Sequence, residues 1–331
     1  MDPLTHALAS WTLSRAGLNR TARLATPILI VSGAIGDTDW LAYLFGPGAF
    51  LAARRTVTDS ILGSVALAAI VAGAFCWFAR KRGNLRVRFG QAFALAAAGA
   101  ALRVALDLAD SRGAKLLWPF GPRIAGDLVA DIDPWILTLL LASLLLPSLF
   151  AVVRGEIGVR SKTPVGRWGA ILALAVLALY LGARGALHSQ AVATLETRTY
   201  AGQLPRRVGA FPDALSPFTW RGLVETQSAI HEVYARLGPG AHFDSEQGKT
   251  LFKPEPSPAL EAVQHTRVAS EFLSYARFPL ATVERSEIGS TITLRDLRFT
   301  TPGQSGPAVM GVVELDEQGR VAGEGLRFDS R

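Results

Sequence analysis

Gly36-Asp37-Thr38-Asp39-Trp40 and, after a spacer, Arg54-Arg55-Thr56-Val57-Thr58-Asp59-Ser60 form the stretch on which the reading of this chain turns. Asp37 and Asp39 stand at the end of one apolar run and Asp59 at the start of the next. Runs of membrane length do not tolerate carboxylates cheaply, so acids gathered at their ends mark a site rather than a filler position. Two further junctions are built alike. Arg103 to Asp107 lead into Leu116-Leu117-Trp118-Pro119-Phe120, and Asp131-Ile132-Asp133-Pro134-Trp135 opens another apolar run. We read three acidic junctions between membrane spans that converge on one place.

Outward from these junctions the chain divides in two. It has 331 residues, 50% hydrophobic and 18% charged, with a mean hydropathy of +0.28. That charge content lies below the roughly 25% of an average soluble domain. The apolar residues concentrate between about residues 24 and 187, and the remainder has ordinary globular composition. The spacing predicts an α-helical membrane domain over 1–189 and a small soluble α+β domain over 190–331. The net charge of +7 comes largely from Arg near span ends, so it reads as topology and excludes nucleic acid as the expected partner. Cys76 is the single cysteine and sits inside an apolar run, so neither an internal disulfide nor a cysteine metal site is available. Residues 1 to 14 hold no Lys or Arg, which argues against a cleavable signal peptide.

Asp2-Pro3 is a helix start, and Leu4 to Ser14 is apolar but reaches only about halfway across a bilayer. Five spans are expected: Leu24–Phe45, broken near Gly36, Ser60–Ala79, Phe89–Leu108, Pro134–Val153 and Trp168–His188. The third is rich in Ala and Gly, as close helix packing prefers. One set of loops holds twelve Lys and Arg and the other five. The positive-inside rule then puts the acidic junctions and the C-terminal domain outside the cytoplasm. His6 comes to the same side as Asp37, Asp39, Arg54, Asp59, Arg103, Asp107, Asp131 and Asp133. Beyond residue 190, period-2 patterning predicts strands at Phe218–Val224, Ile230–Tyr234, Thr291–Phe299 and Ala308–Leu315. A turn at Asp316 to Gly319 leads to a last strand ending near Phe328. One helix is expected from Ser257-Pro258 to about Tyr275.

Carboxylates and an imidazole approaching from several helices are what a divalent metal needs. The competing reading is that the acids pair with Arg54, Arg103 and helix N-termini and hold the spans in register. His188, His231, His242 and His265 have no ligand spacing, and Ser60 has no neighbouring His to make a catalytic triad.

Five ordered motifs carry a family resemblance. They are Met1-Asp2-Pro3-Leu4-Thr5-His6, Gly36 to Asp39, Arg54 to Ser60, Leu106-Asp107-Leu108 before Leu116 to Phe120, and Ile132-Asp133-Pro134-Trp135. Together they resemble the inner-membrane metal-dependent hydrolases of bacteria, a group that includes LexA-regulated members. The resemblance implies a multi-pass protein of the bacterial inner membrane, bound to the lipid bilayer. It implies hydrolysis of a small-molecule or lipid ester or phosphoester, and a divalent metal ion, zinc in the family. It implies His6, Asp37, Asp39 and Asp107 as ligand positions. By their own chemistry Asp59 would serve as ligand or base, and the guanidinium forks of Arg54 and Arg103 would suit an anionic substrate. The departures from the family pattern matter as much. Gly36 stands where the family has Pro, and Arg54, Asp59 and Arg103 stand where it has His. Arg is always charged and ligates no metal. We therefore expect no stoichiometric zinc and little hydrolysis. The alternatives are an inactive membrane pseudoenzyme and a lipid- or envelope-binding protein.

Overall fold

The computed structural model describes residues 1–82, 87–156, 166–238, 241–286, 289–300 and 308–329. Its residues group into two compact units, Met1–Asp39 with Arg55–Ala186, and Trp40–Arg54 with Leu187–Arg331.

The first unit is helical. Asp2 caps α1 (Pro3–Arg15), its side chain accepting from the Thr5 amide at 3.0 Å. The span that follows changes type where the acids begin: α2 (Ala25–Ala34) passes into a 3-10 helix over Ile35–Phe45. Ser60 caps α4 (Ile61–Lys81), and α5 (Phe89–Ala109) follows. At 21 residues each, α4 and α5 are roughly 30 Å long, the thickness of a bilayer core. α6 (Pro134–Glu156) and α7 (Arg167–Glu196) complete the set. Four helical stretches among the described residues are long and apolar enough to cross a membrane: Ala25–Phe45, Ile61–Lys81, Phe89–Ala109 and Arg167–Glu196. Pro134–Phe150 is a shorter apolar helix, so the count of five rests on it. α1 packs against α2, α5 and α6, and α5 lies against both α2 and α4. The small residues of α5 allow this closeness. A Cβ on Gly99 would come within 2.2 Å of Ser32 Oγ and 2.8 Å of Leu29 O on α2.

The second unit holds two antiparallel sheets, each a simple meander, with strand orders β1-β2-β3-β4 and β5-β6-β7-β8. The first comprises Arg207–Pro212, Thr219–Glu225, Ala229–Arg236 and His242–Phe252. The second comprises Pro279–Ser286, Gly289–Asp296, Val309–Leu315 and Val321–Phe328. Ala191 and Leu195, on the last turns of α7, pack against Trp220, Val224 and Val233 of the first sheet. A second cluster joins Phe211, Leu223 and Ile230 to Phe278, Leu280 and Leu297. The short helix α3 (Pro47–Ala53) also belongs here: the Phe50 ring meets Phe328 edge-on at 5.9 Å, and Tyr43 lies tilted against it at 4.3 Å.

Several sequence expectations need correction. β1, β4 and β5 went unread. β1 and β5 are edge strands that end and begin on Pro212 and Pro279, positions where proline is tolerated but masks a strand pattern. The helix expected over 257–275 is two: α8 (Pro258–Gln264) and α9 (Arg267–Leu273). Thr266 separates them, its hydroxyl donating to Val263 O and accepting from the Ala269 amide. Among the described residues this region has eight strands, two short α-helices and a 3-10 turn at Leu297–Phe299, so it is richer in β structure than an even mixture. The final span expected to end at His188 continues to Glu196. Parts of the basic loops expected between Arg80 and Arg88 and between Arg154 and Arg167 lie outside the described residues.

Candidate metal and ion-pair centre

The acidic junctions of the first unit meet around Asp107. His6, on α1, is fully buried and bridges two carboxylates: Nδ1 lies 2.8 Å from Asp37 Oδ2, and Nε2 lies 3.4 Å from Asp107 Oδ1. His6, Asp37 and Asp107 are the one set among the described residues whose ligand atoms gather as a metal would require, within 4.8 Å of one another.

Asp39 does not join them. In a 3-10 helix residues two apart point about 120° apart, and here Asp37 turns to His6 while Asp39 Oδ2 accepts from the Arg55 amide at 2.7 Å. The expected break near Gly36 is a change of helix type, and it leaves the two acids on different partners. Asp59 is fully buried and ion-paired to Arg103. The second Arg103 nitrogen donates to Thr58 O at 2.6 Å, and Arg103 Nη1 lies 3.8 Å from Asp107 Oδ2 one turn along α5. Gly36 makes room for this guanidinium: a Cβ there would fall 2.0 Å from Arg103 Cζ. Arg54 belongs to the second unit, where its guanidinium lies over the Trp40 ring at 4.7 Å. Asp133 turns to structural work, accepting from Tyr180 Oη at 3.0 Å and capping α6 through the Trp135 and Ile136 amides.

Arg55 was not singled out from the sequence, yet it ties the centre together. It contacts Asp110 and Asp131 at 2.9 Å each and Asp107 at 3.3 Å, with the Met1 amino group on Asp107 and, at 3.0 Å, on Asp110. The signal available was its place beside Arg54 at an acidic junction. Its left-handed φ of 52° has no sequence signature. Burial pushes the Asp110 carboxyl up, but Arg55 and the Met1 amine outweigh it and hold its pKa well below the usual range. Burial likewise works against the charge on Arg55, and Asp110, Asp107 and Asp131 more than restore it. Asp59 is pushed up, first by burial and then by Asp107.

The remaining candidates have structural roles. Ser60 Oγ accepts from the Gly63 amide at 2.9 Å. His231 sits between Thr250 and Thr226, His188 lies against Trp220, and His265 ends α8. The His242 side chain lies outside the described residues. Cys76 is a buried residue of α4.

A family model described as YdjM inner membrane protein matches residues 1–191. The chain belongs to the YdjM inner membrane protein family. The match covers the first unit and every residue of the centre around Asp107. The family description names a location and no reaction. It supports the inner-membrane placement and adds nothing to the hydrolase expectation. No curated protein and no solved structure matches the chain.

Three atoms bear on whether the residues present fit a metal. His6 Nε2, Asp107 Oδ2 and Asp59 Oδ2 are buried and have no hydrogen-bond partner among the described residues. His6 Nε2 faces Asp107 Oδ1 at 3.4 Å and Asp107 Oδ2 faces Arg103 at 3.8 Å without closing a hydrogen bond. Unsatisfied buried polar atoms of this kind are rare in folded chains and call for an ion or water. One imidazole nitrogen with several carboxylate oxygens suits a hard, oxygen-preferring dication. Zinc selects more nitrogen or sulfur. The set fits magnesium or manganese and lacks the imidazoles of the zinc pattern that the resemblance implies.

Proposed function

We propose that this protein is an inner-membrane, metal-dependent hydrolase of an ester or phosphoester, in which a magnesium- or manganese-like ion takes the place of zinc. The buried polar atoms of His6, Asp107 and Asp59 that make no hydrogen bond among the described residues carry this reading. His6 and Asp107 would hold the ion. Asp37, hydrogen-bonded to Nδ1, would fix the imidazole with Nε2 free to ligate, the arrangement by which carboxylates orient metal-bound histidines. Asp59 would ligate or accept a proton. A bound dication supplies Lewis acidity toward a carbonyl or phosphoryl oxygen. Arg103, a fork already held on Asp59, would receive an anionic oxygen of the substrate by releasing that partner. Arg55 holds Asp107, Asp110 and Asp131 in place and is a positioning residue.

A second reading is an inactive ion-pair network, favoured by one observation: Arg103 and Arg55 already occupy parts of the Asp59 and Asp107 carboxylates. Hydrolysis of a chromogenic phosphodiester by the detergent-purified protein decides between them. The hydrolase reading expects turnover that requires added Mn2+, is abolished by chelation and is lost in Asp107→Asn. No turnover with Mg2+, Mn2+ or Zn2+ would favour the network, and turnover unaffected by chelator would refute the metal-dependent reading.

Five spans, two domains divided near residue 189 and an acidic face outside the cytoplasm complete the proposal. The Lys and Arg asymmetry of the loops supports the orientation, the apolar helices including Pro134–Phe150 support the spans, and the change to strand patterning after residue 190 supports the division.

A further inference from the structure

The Leu116 to Phe120 motif has no part in the centre described above. In the structure it forms the tip of a hairpin between α5 and α6. Paired hydrogen bonds between Ala114 and Ile124, both 2.9 Å, close the stem. The tip is apolar and faces outward: Leu117 is 60% and Phe120 79% exposed, with Trp118 also exposed. A soluble surface rarely carries such a group on one turn.

Two hydrogen bonds fix where this tip stands. The Ile61 amide, at the first residue of α4, donates to Leu116 O at 2.9 Å, and the Lys115 amide donates to Arg55 O at 3.2 Å. α4 is a membrane-length helix whose first turn exposes Ile61 and Leu62. Its first residue therefore marks the edge of the hydrocarbon core. The hairpin tip is held at that level, and the stem reaches the ion-pair centre through Arg55. Trp and other aromatic residues concentrate at this depth because a ring can meet acyl chains on one side and headgroups on the other.

We propose that Leu117, Trp118 and Phe120 are seated in the bilayer interface beside α4, fixing the centre at headgroup level. The occupant is lipid, since the patch continues the lipid-facing surface of a spanning helix. This inference stands apart from the hydrolase reading.

Cys76 is the chain's single cysteine, which makes the test direct. In a Cys76→Ala background, Phe120→Cys is labelled with a nitroxide, and the full chain is reconstituted in phosphatidylcholine–phosphatidylglycerol vesicles. Its collision rates with oxygen and with a water-soluble nickel chelate are compared with those of a label at Glu317→Cys, on the exposed turn after β7. The oxygen-to-nickel ratio should be severalfold higher at Phe120. A ratio equal to that at Glu317 would place the tip in water and overturn the proposal. Protection from both reagents would show it covered by protein and overturn it equally. Leu117→Cys gives the same readout should the Phe120 variant fail to insert. The measurement needs neither bound ion nor turnover, so its failure is distinguishable from failure of the hydrolase reading.

Discussion

Gly36→Ala is the smallest change that probes the centre. Gly36 has an ordinary backbone conformation in its 3-10 helix, so alanine is permitted there by the main chain. The obstacle is the guanidinium. The new methyl would lie 2.0 Å from Arg103 Cζ and 2.1 Å from Nη1, whereas an unstrained contact needs about 3.5 Å. Arg103 would have to withdraw by roughly 1.5 Å, beyond hydrogen-bond reach of both Asp59 and Thr58 O. A hydrogen bond to a charged group contributes about 1.5–3 kcal/mol, and a buried carboxylate left without its partner adds to the loss. Reduced chain entropy in the unfolded state returns about 0.4–1 kcal/mol. The net expectation is a destabilisation of about 3 kcal/mol, read from reversible unfolding by SDS in mixed micelles followed by far-UV circular dichroism. In an Asp59→Asn/Arg103→Ala background the obstacle and the orphaned charge are both gone, and Gly36→Ala should be neutral or slightly stabilising. Equal losses in the two backgrounds, or none in the first, would refute the contact.

Two further expectations follow from the same centre and its placement. A reporter active only outside the cytoplasm should be active when fused after residue 200 and silent when fused at residue 84; the reverse pattern would move the centre to the cytoplasmic face. Asp59→His with Arg103→His restores two imidazoles and removes a cation from the network, so zinc content after purification should rise from near zero toward about one per chain. A folded double variant that still excludes zinc would show that these positions are not ligand positions.

The membrane half was legible because apolar runs and caps are local signals. Asp2, Ser60 and Asp133 mark helix starts by residue type alone, and Phe89 to Ala109 has the length and small-residue content of a packed span. The centre was legible as a collection of residues but not as a geometry. Asp37 and Asp39 could share a target only if the helix broke between them; it continues as a 3-10 helix, which a two-residue spacing cannot reveal. Gly36 reads as a helix breaker, yet its role is to lack a Cβ under Arg103. Three departures from the resembled pattern, Gly36, Asp59 and Arg103, are thus one contiguous substitution. A longer cation enters where a proline and a histidine are expected, and an acid replaces the facing imidazole. Arg55 was missed because its partners Asp107, Asp110 and Asp131 lie more than fifty residues away. In the second unit the long strands β2, β3 and β7 were readable. β4 was not, because Asp244 to Lys249 is polar and carries no alternation.

The central claim is that His6 and Asp107 hold a dication, and Mn2+ binding tests it most directly. Free Mn2+ has a sharp electron paramagnetic resonance signal that vanishes on binding. Titrating the detergent-purified full chain should remove about one equivalent of that signal, while His6→Ala and Asp107→Asn should remove none. An undiminished signal with the unaltered protein, or equal binding by Asp107→Asn, would contradict the claim.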